Sequence, residues 1–311
     1  MANAIDENNL FEKYAIVAEQ SATLDGGGHS SFSFTHGNFS CEFYATGTKI
    51  WGGNIRTIPS SSTNSTNANF VAEIVIWQWH EGKQTIVQRN LFDIEQSNYC
   101  CFDQSSIWPL NVFVRILAKK PPNALTNSST FTPASSSSSA AGDDTFTVHI
   151  GDRQITVSAA RLMAVSPVFG RMLSVDMEEK KERAVKLEGI DMEQFMEFLD
   201  AISGASLPNP KNVLDLLALS DYFMVDWLKD RCDGHLTNCV EMPLIDRFVL
   251  IERYRLGGVK NLFMRCMDLK NLGNFCFKEH NVFLCKDASK SLKIDLGRRL
   301  HALWEVAKGF K

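Results

Sequence analysis

Long apolar runs are missing from this 311-residue chain. The longest candidate, Val71 to Trp79, carries Glu73 and Gln78 and falls well short of the roughly eighteen residues that cross a bilayer, so no membrane partner is expected. The first ten residues lack the basic start and apolar core of a signal peptide, which leads us to expect a cytoplasmic or nuclear protein. An extended basic stripe is missing too: 36 acidic against 32 basic side chains leave a net charge of -4, and nucleic acid is not an expected partner. The 8 cysteines nowhere show the two-residue gap with which two thiolates grip a zinc ion, so neither a metal nor a cofactor is expected. In a reducing compartment most are expected to be small buried apolar side chains, with the adjacent Cys100 and Cys101 the one pair to which thiol chemistry could be assigned. No Gly-X-Ser-X-Gly elbow, no phosphate loop closing on Lys-Ser/Thr and no His-Glu-X-X-His helix occurs. Asp25 to His29 holds three glycines but leads into neither a lysine nor a helical pattern, and His80-Glu81 lacks the second histidine of a zinc helix. The expectation is a protein that is not an enzyme.

What is present divides the chain. Hydrophobic residues at 44% and charged residues at 22% are the proportions of a folded protein, except between Lys119 and Asp143. There Pro121, Pro122 and Pro133 accompany the run Ser135 to Ser139, and so little apolar surface could not offset the entropy of ordering, so residues 120–142 read as a tether. Before it, Phe32, Phe34, Phe39, Cys41 and Phe43 fall largely at alternate positions, while Val71 to Trp79 and Trp108 to Ala118 add β-branched and aromatic runs punctuated by glycine. Residues 1–119 are therefore expected to form a mainly β sandwich or barrel.

Past the tether the period changes. Phe146, Val148 and Ile150 alternate, Gly151-Asp152 supplies a turn, and Ile155 and Val157 resume, which describes a hairpin. Ser158 can cap a short helix; Ser166 followed by Pro167 starts another that puts Phe169, Met172 and Leu173 on one face, read as core. A strand at Val185 to Leu187 precedes Asp191, which with Gln194 suits a capping box ahead of Phe195, Phe198, Leu199 and Ile202. Pro208 and Pro210 break the chain before Val213, Leu216, Leu217 and Tyr222, and Leu228, Cys232 and Leu236 then recur every fourth residue. Further helices run to the end, separated by Gly257-Gly258 and by Asn271 to Asn274.

The series Asp144-Thr145-Phe146-Thr147-Val148, Leu162, Ser166-Pro167-Val168-Phe169, Met172-Leu173, Met177-Glu178-Glu179, Val185-Lys186-Leu187 and Phe195 to Leu199 resembles the BTB/POZ family across residues 143–236. The likeness is to nematode members and to MATH–BTB adaptors of the speckle-type POZ group. Ser158-Ala159-Ala160-Arg161 stands where the family usually has His-Lys before the first helix, and Ser203-Gly204-Ala205 replaces a common Tyr-Thr-Gly. The resemblance implies a multidomain α+β chain: a MATH-like β sandwich over 1–119, a Ser/Pro-rich linker over 120–142, a central BTB/POZ α/β domain over 143–236 and a helical BACK-like extension over 237–311. It also implies a homodimer, a protein substrate taken by the β domain, and contact with the cullin scaffold of a ubiquitin ligase through Met177 and Glu179, a flexible apolar anchor with a carboxylate two residues on. The alternative from another class is a dimeric scaffold or transcriptional co-regulator that binds no cullin. Trp51, Trp77, Trp79, Tyr99 and Trp108 do not align one by one with the groove residues of MATH domains and are expected in the core, which leaves the substrate-binding residues unassigned.

Overall fold

The structure, a computed structural model, describes residues 7–24, 30–36, 39–46, 49–57, 70–80, 83–93, 100–103, 110–120, 144–174 and 181–309. The chain divides into two compact units, one made of residues 1–119 with 233–311 and the other of residues 120–232. The C-terminal helices therefore share a unit with the β-rich region, where the sequence suggested an extension following the central domain.

In the first unit a short helix, α1 (Glu7–Lys13), precedes eight described strands: β1 (Tyr14–Leu24), β2 (Ser30–His36), β3 (Phe39–Thr46), β4 (Lys49–Thr57), β5 (Phe70–His80), β6 (Lys83–Asp93), β7 (Cys100–Asp103) and β8 (Leu110–Lys119). They form two four-stranded antiparallel sheets, ordered β1-β8-β5-β6 and β2-β3-β4-β7. Leu24, Phe32, Phe34, Ala72, Ile74, Ile76, Leu110, Val112, Val114 and Ile116 meet in one core between the two sheets, so of the sandwich and the barrel left open by the sequence the region is a sandwich.

The first sheet departs from the usual pattern of one buried and one wetted face. In β5 and β8 the residues between the core positions, among them Glu73, Val75, Trp77, Phe113 and Arg115, are buried as well. Strands covered on both faces read as continuous apolar runs, the character of Val71 to Trp79 and of Leu110 to Ala118. The cover comes from the C-terminal helices: the Trp79 ring lies 5.2 Å from that of Phe263, and Asn271 Nδ2 donates to Trp79 O at 3.4 Å.

In the second unit β9 (Thr145–Ile150) is central in a three-stranded sheet, antiparallel to β10 (Arg153–Ser158) and parallel to β11 (Ala184–Leu187). Gly151, at φ 57°, makes the hairpin turn in a conformation that glycine reaches without steric cost. Helices α2 (Ala159–Val165), α3 (Pro167–Ser174), α4 (Met192–Ser203) and α5 (Val213–Tyr222) follow, and α6 (Asp226–Asn238) gives its last six residues to the first unit. The local signals act as expected. The Ser158 hydroxyl accepts from Arg161 N, the Ser166 hydroxyl accepts from Phe169 N, and Asp191 and Gln194 complete a reciprocal capping box.

The remaining helices are α7 (Leu244–Tyr254), α8 (Gly257–Cys266), α9 (Leu269–Asn274), a π-helical turn (Phe275–Glu279), α10 (Asn281–Lys286) and α11 (Lys290–Ala307). One sequence expectation is refined here and one corrected. Gly257-Gly258 marks the junction between α7 and α8 but also belongs to the first turn of α8, where the Asp233 carboxylate accepts from both Gly258 N at 2.6 Å and Val259 N at 2.9 Å. Asn271 to Asn274 lies inside α9, whose first turn is capped by the Asp268 side chain accepting from Asn271 N. Among the described residues no helix is long and apolar enough to cross a membrane.

Candidate functional site

The second unit is built around aromatic rings. Phe169 and Phe223 stack with centroids 4.6 Å apart, Phe198 lies 5.3 Å from Phe223, and Phe195 lies 6.0 Å from Phe198. All four are fully buried, a gain of several kcal/mol at roughly 1.5–3 kcal/mol per large apolar side chain. Met172 and Leu173, expected in this core beside Phe169, are only half-buried. The Ser166 hydroxyl, already capping α3, donates to Phe223 O at 2.6 Å and ties that helix to the end of α5.

Among the described residues of the unit, the end of α5 carries the most exposed apolar cluster. Along Tyr222-Phe223-Met224-Val225 the residues alternate: Phe223 and Val225 are fully buried, while Tyr222 is 63% and Met224 53% exposed. Tyr222, named in the sequence with Val213, Leu216 and Leu217, stands outside the buried face that those three share. The cause is the helix terminus. Val225 N donates to Ser220 O at 2.8 Å and Met224 N to Asp221 O at 3.3 Å, the crossed bonds that close a helix through a left-handed residue. Met224 takes that place at φ 56°, where glycine is usual and a side chain costs roughly 1–2 kcal/mol. Trp227, 37% exposed, continues the surface, with the Arg231 guanidinium 5.3 Å from its ring. Strain held beside an exposed Tyr, Met and Trp on a rigid aromatic core has the makeup of a protein-contact surface, since these residue types dominate interface hot spots and Met adapts its shape to what it meets.

The charges around this unit are local. The Asp144 carboxylate accepts from the Ser158 hydroxyl and from Ala160 N, bonds that hold it below the ordinary carboxylate range and fasten the start of α2 to the hairpin. Arg153 holds the exposed Glu193 down to about 2. On α4, burial pushes Glu197 and Asp200 up, and the nearby Asp215 adds to the effect at Glu197.

In the first unit one set of charged groups is buried and joined. Arg115, with no exposed surface, donates to Glu73 Oε2 at 3.1 Å and to Glu241 Oε1 at 2.8 Å, and Arg89 bridges the same two carboxylates. Glu19 lies 3.7 Å from Arg115 and 3.0 Å from His235 Nδ1. Phe113 and Phe11 face the guanidinium at 4.5 and 5.2 Å. Burial alone would lift the Glu241 carboxyl, yet Arg115 and Arg89 outweigh it and hold the group at about 2. Burial alone would lower the Arg115 guanidinium, and the carboxylates keep it raised. Buried charges survive only when paired in this way, and the network joins the sheet to its helical cover. Burial, followed by Glu241, drives the Cys239 thiol up to about 12, which leaves it inert.

Met177 and Glu179 lie outside the described residues. So do the side chains of Cys100 and Cys101, whose backbone pairs with Gly52 and Trp51 in the second sheet. Trp77 and Trp79 are buried, as expected of core residues; Tyr99, Trp108 and the Trp51 side chain lie outside the description. Among the described residues no three His, Cys, Asp or Glu side chains gather as metal ligands.

Residues 142–239 match the family model of the BTB/POZ domain. In Caenorhabditis elegans, BTB and MATH domain-containing protein 38 is 28% identical to this chain over 120 residues, which is 38% of this chain and 31% of that protein. BTB and MATH domain-containing protein 36 of the same organism is 29% identical over 115 residues, 37% of this chain and 34% of the relative. The matched stretch thus spans about a third of each of these relatives.

Proposed function

Residues 142–239 of this chain are a BTB/POZ domain, and from that premise we propose that the protein is a non-catalytic adaptor that brings other polypeptides together. In this reading the BTB domain pairs two copies of the chain and docks the cullin of a ubiquitin ligase, with Met177 and Glu179 as contacts. The β sandwich of residues 1–119 is MATH-like and captures a protein target, and the site of action is the cytoplasm or nucleus. The observation that carries the reading is the exposed corner of Tyr222, Met224 and Trp227, held on a fully buried aromatic core of a domain type that works by protein contact. Catalysis then belongs to the recruited complex. The adaptor's contribution is raised effective concentration, multiplied by pairing where the reach of the tether allows both sites to engage at once.

Co-precipitation with the cullin tests this directly, comparing wild type, Met177→Ala/Glu179→Ala and Tyr222→Ala/Met224→Gly. The expected result is cullin recovery from wild type and a loss of at least roughly tenfold in each double variant, since interface hot spots cost about 2 kcal/mol or more on truncation. Equal recovery from all three, or none from wild type, removes the cullin from the proposal. Light scattering then decides whether a dimeric scaffold or co-regulator is what remains.

A further inference from the structure

Between the outer face of the first sheet and its helical cover lies a polar cavity of about 380 Å³. Its floor is one row across neighbouring strands. Thr23 of β1 is the cross-strand partner of Asn111 of β8, Asn111 is the partner of Trp77 of β5, and the Thr23 hydroxyl donates to Asn111 Oδ1 at 2.8 Å. Ser21, two residues before Thr23, stands on the same face of β1. The roof comes from two helices. Gly258, Asn261, Leu262 and Arg265 fall at i, i+3, i+4 and i+7 along α8 and so share one face of it, while Thr237 and Asn238 close the last turn of α6.

Two buried groups on this wall are unmet. Trp77 is 1% exposed and Asn238 7%, and among the described residues neither Trp77 Nε1 nor Asn238 Oδ1 has a hydrogen-bond partner, although Asn238 Nδ2 donates to Gly234 O at 3.3 Å. Buried polar atoms are nearly always paired. The indole N–H can only donate and the amide oxygen can only accept. A hydroxyl does both, so hydroxyl groups match this wall where a carbonyl or an ammonium matches half of it. Charge narrows the class further. Arg265 is exposed at the rim, and none of the described residues that line the cavity is acidic. The carboxylates on the same elements are engaged: Asp233 of α6 accepts from Gly258 N and Val259 N, and Glu19 of β1 meets His235 and Arg115. A cation would find no counter-charge here, whereas a carboxylate finds one.

We infer that this cavity binds a small hydroxylated carboxylate of monosaccharide size, a sugar acid, whose hydroxyls meet Trp77 Nε1 and Asn238 Oδ1 and whose carboxylate pairs with Arg265. The volume agrees, since small-molecule sites begin at about 300 Å³. The site lies within the first unit and stands whether or not the chain acts as an adaptor. A ligand held there touches both the sheet and the helices over it, and so stabilises the covered unit by mass action.

The full chain is titrated by calorimetry with D-glucuronate, with D-glucose as the neutral counterpart and acetate as the bare carboxylate. The expected result is one-site binding of glucuronate with a Kd of about 1 mM or below, glucose at least about tenfold weaker, and no measurable heat from acetate. Arg265→Gln should bring glucuronate down to the level of glucose, and Trp77→Phe, which keeps a ring but removes the N–H, should weaken it about tenfold. Glucuronate should also raise the melting temperature of wild type and leave that of Arg265→Gln in place. Arg265 is exposed, so its variant should melt with wild type and keeps the test decisive even where Trp77→Phe fails to fold. No heat with glucuronate overturns the inference, as does binding left unchanged by Arg265→Gln. Acetate or glucose binding as tightly as glucuronate removes the hydroxyls or the carboxylate from the recognition and overturns it equally.

Discussion

The strands β5 and β8 of the first unit and the hairpin β9–β10 of the second solve opposite problems. Along β9 burial alternates, with Phe146, Val148 and Ile150 inward and Thr147 and His149 partly open. Along β8 every residue from Leu110 to Leu117 is buried. The hairpin lies in a sheet whose second face stays partly wet, so its polar residues need no partners. At β5 and β8 the sheet has no wet face on which to leave Glu73, Asn111 or Arg115, and the charges there must be matched inside the protein. An apolar run with a few embedded charges therefore signals both a second cover and a counter-ion supplied by it.

The largest test of this contrast is Arg115→Ala, which would leave Glu73 and Glu241 buried without their shared cation. It is expected to cost about 3–5 kcal/mol in denaturant unfolding. Arg153→Ala, which removes an exposed pair at the hairpin, is expected to change stability immeasurably. Equal effects of the two would mean that the outer face of the sheet is not sealed.

Acid sharpens the comparison. Glu241 is held at about 2, below its ordinary 4.5, so its stabilising contribution is present above about 4.5 and is lost as the pH falls from there toward 2. Glu197 and Asp200 in the second unit are raised. Their contribution is fully present below the ordinary carboxylate range and is lost as pH rises through their folded values. Glu241→Gln should flatten the acid limb of an unfolding-midpoint series without altering its neutral-pH slope, whereas Asp200→Asn should remove a loss of stability that sets in as pH rises above the ordinary carboxylate range.

How far the sequence disclosed all this depends on the range of the forces. The capping box at Asp191 and Gln194, the caps at Ser158 and Ser166 and the turn at Gly151 are local devices, and each was legible within about four residues. The cover on the sheet was not, because Arg115 and Glu241 are 126 positions apart and a continuous apolar run does not announce what lies over it. The corner at Tyr222 was missed for another reason. Tyr222 follows Val213, Leu216 and Leu217 in its helix, and the left-handed turn at Met224 that exposes Tyr222 and Met224 leaves no mark in composition.

Two smaller predictions refine the contrast. Asp233→Ala removes the acceptor for Gly258 N and Val259 N and is expected to cost about 1–2 kcal/mol, visible as faster amide exchange through Gly257–Cys266 before any change in the hairpin. Met224→Gly relieves the left-handed strain and is expected to leave the melting temperature unchanged or to raise it by the equivalent of about 1 kcal/mol. A clear fall would show that the side chain packs inward and would remove it from the proposed contact surface.

The close approach at Gly258 also limits which sequences can keep this fold. A Cβ there would meet Asp233 Oδ2 at 2.9 Å, so even alanine must displace a carboxylate that serves two amides at once. A side chain at 258 can then enter only with a shift or change at 233, and an acid facing a glycine across those 25 residues is a mark by which chains sharing this helical cover could be recognised.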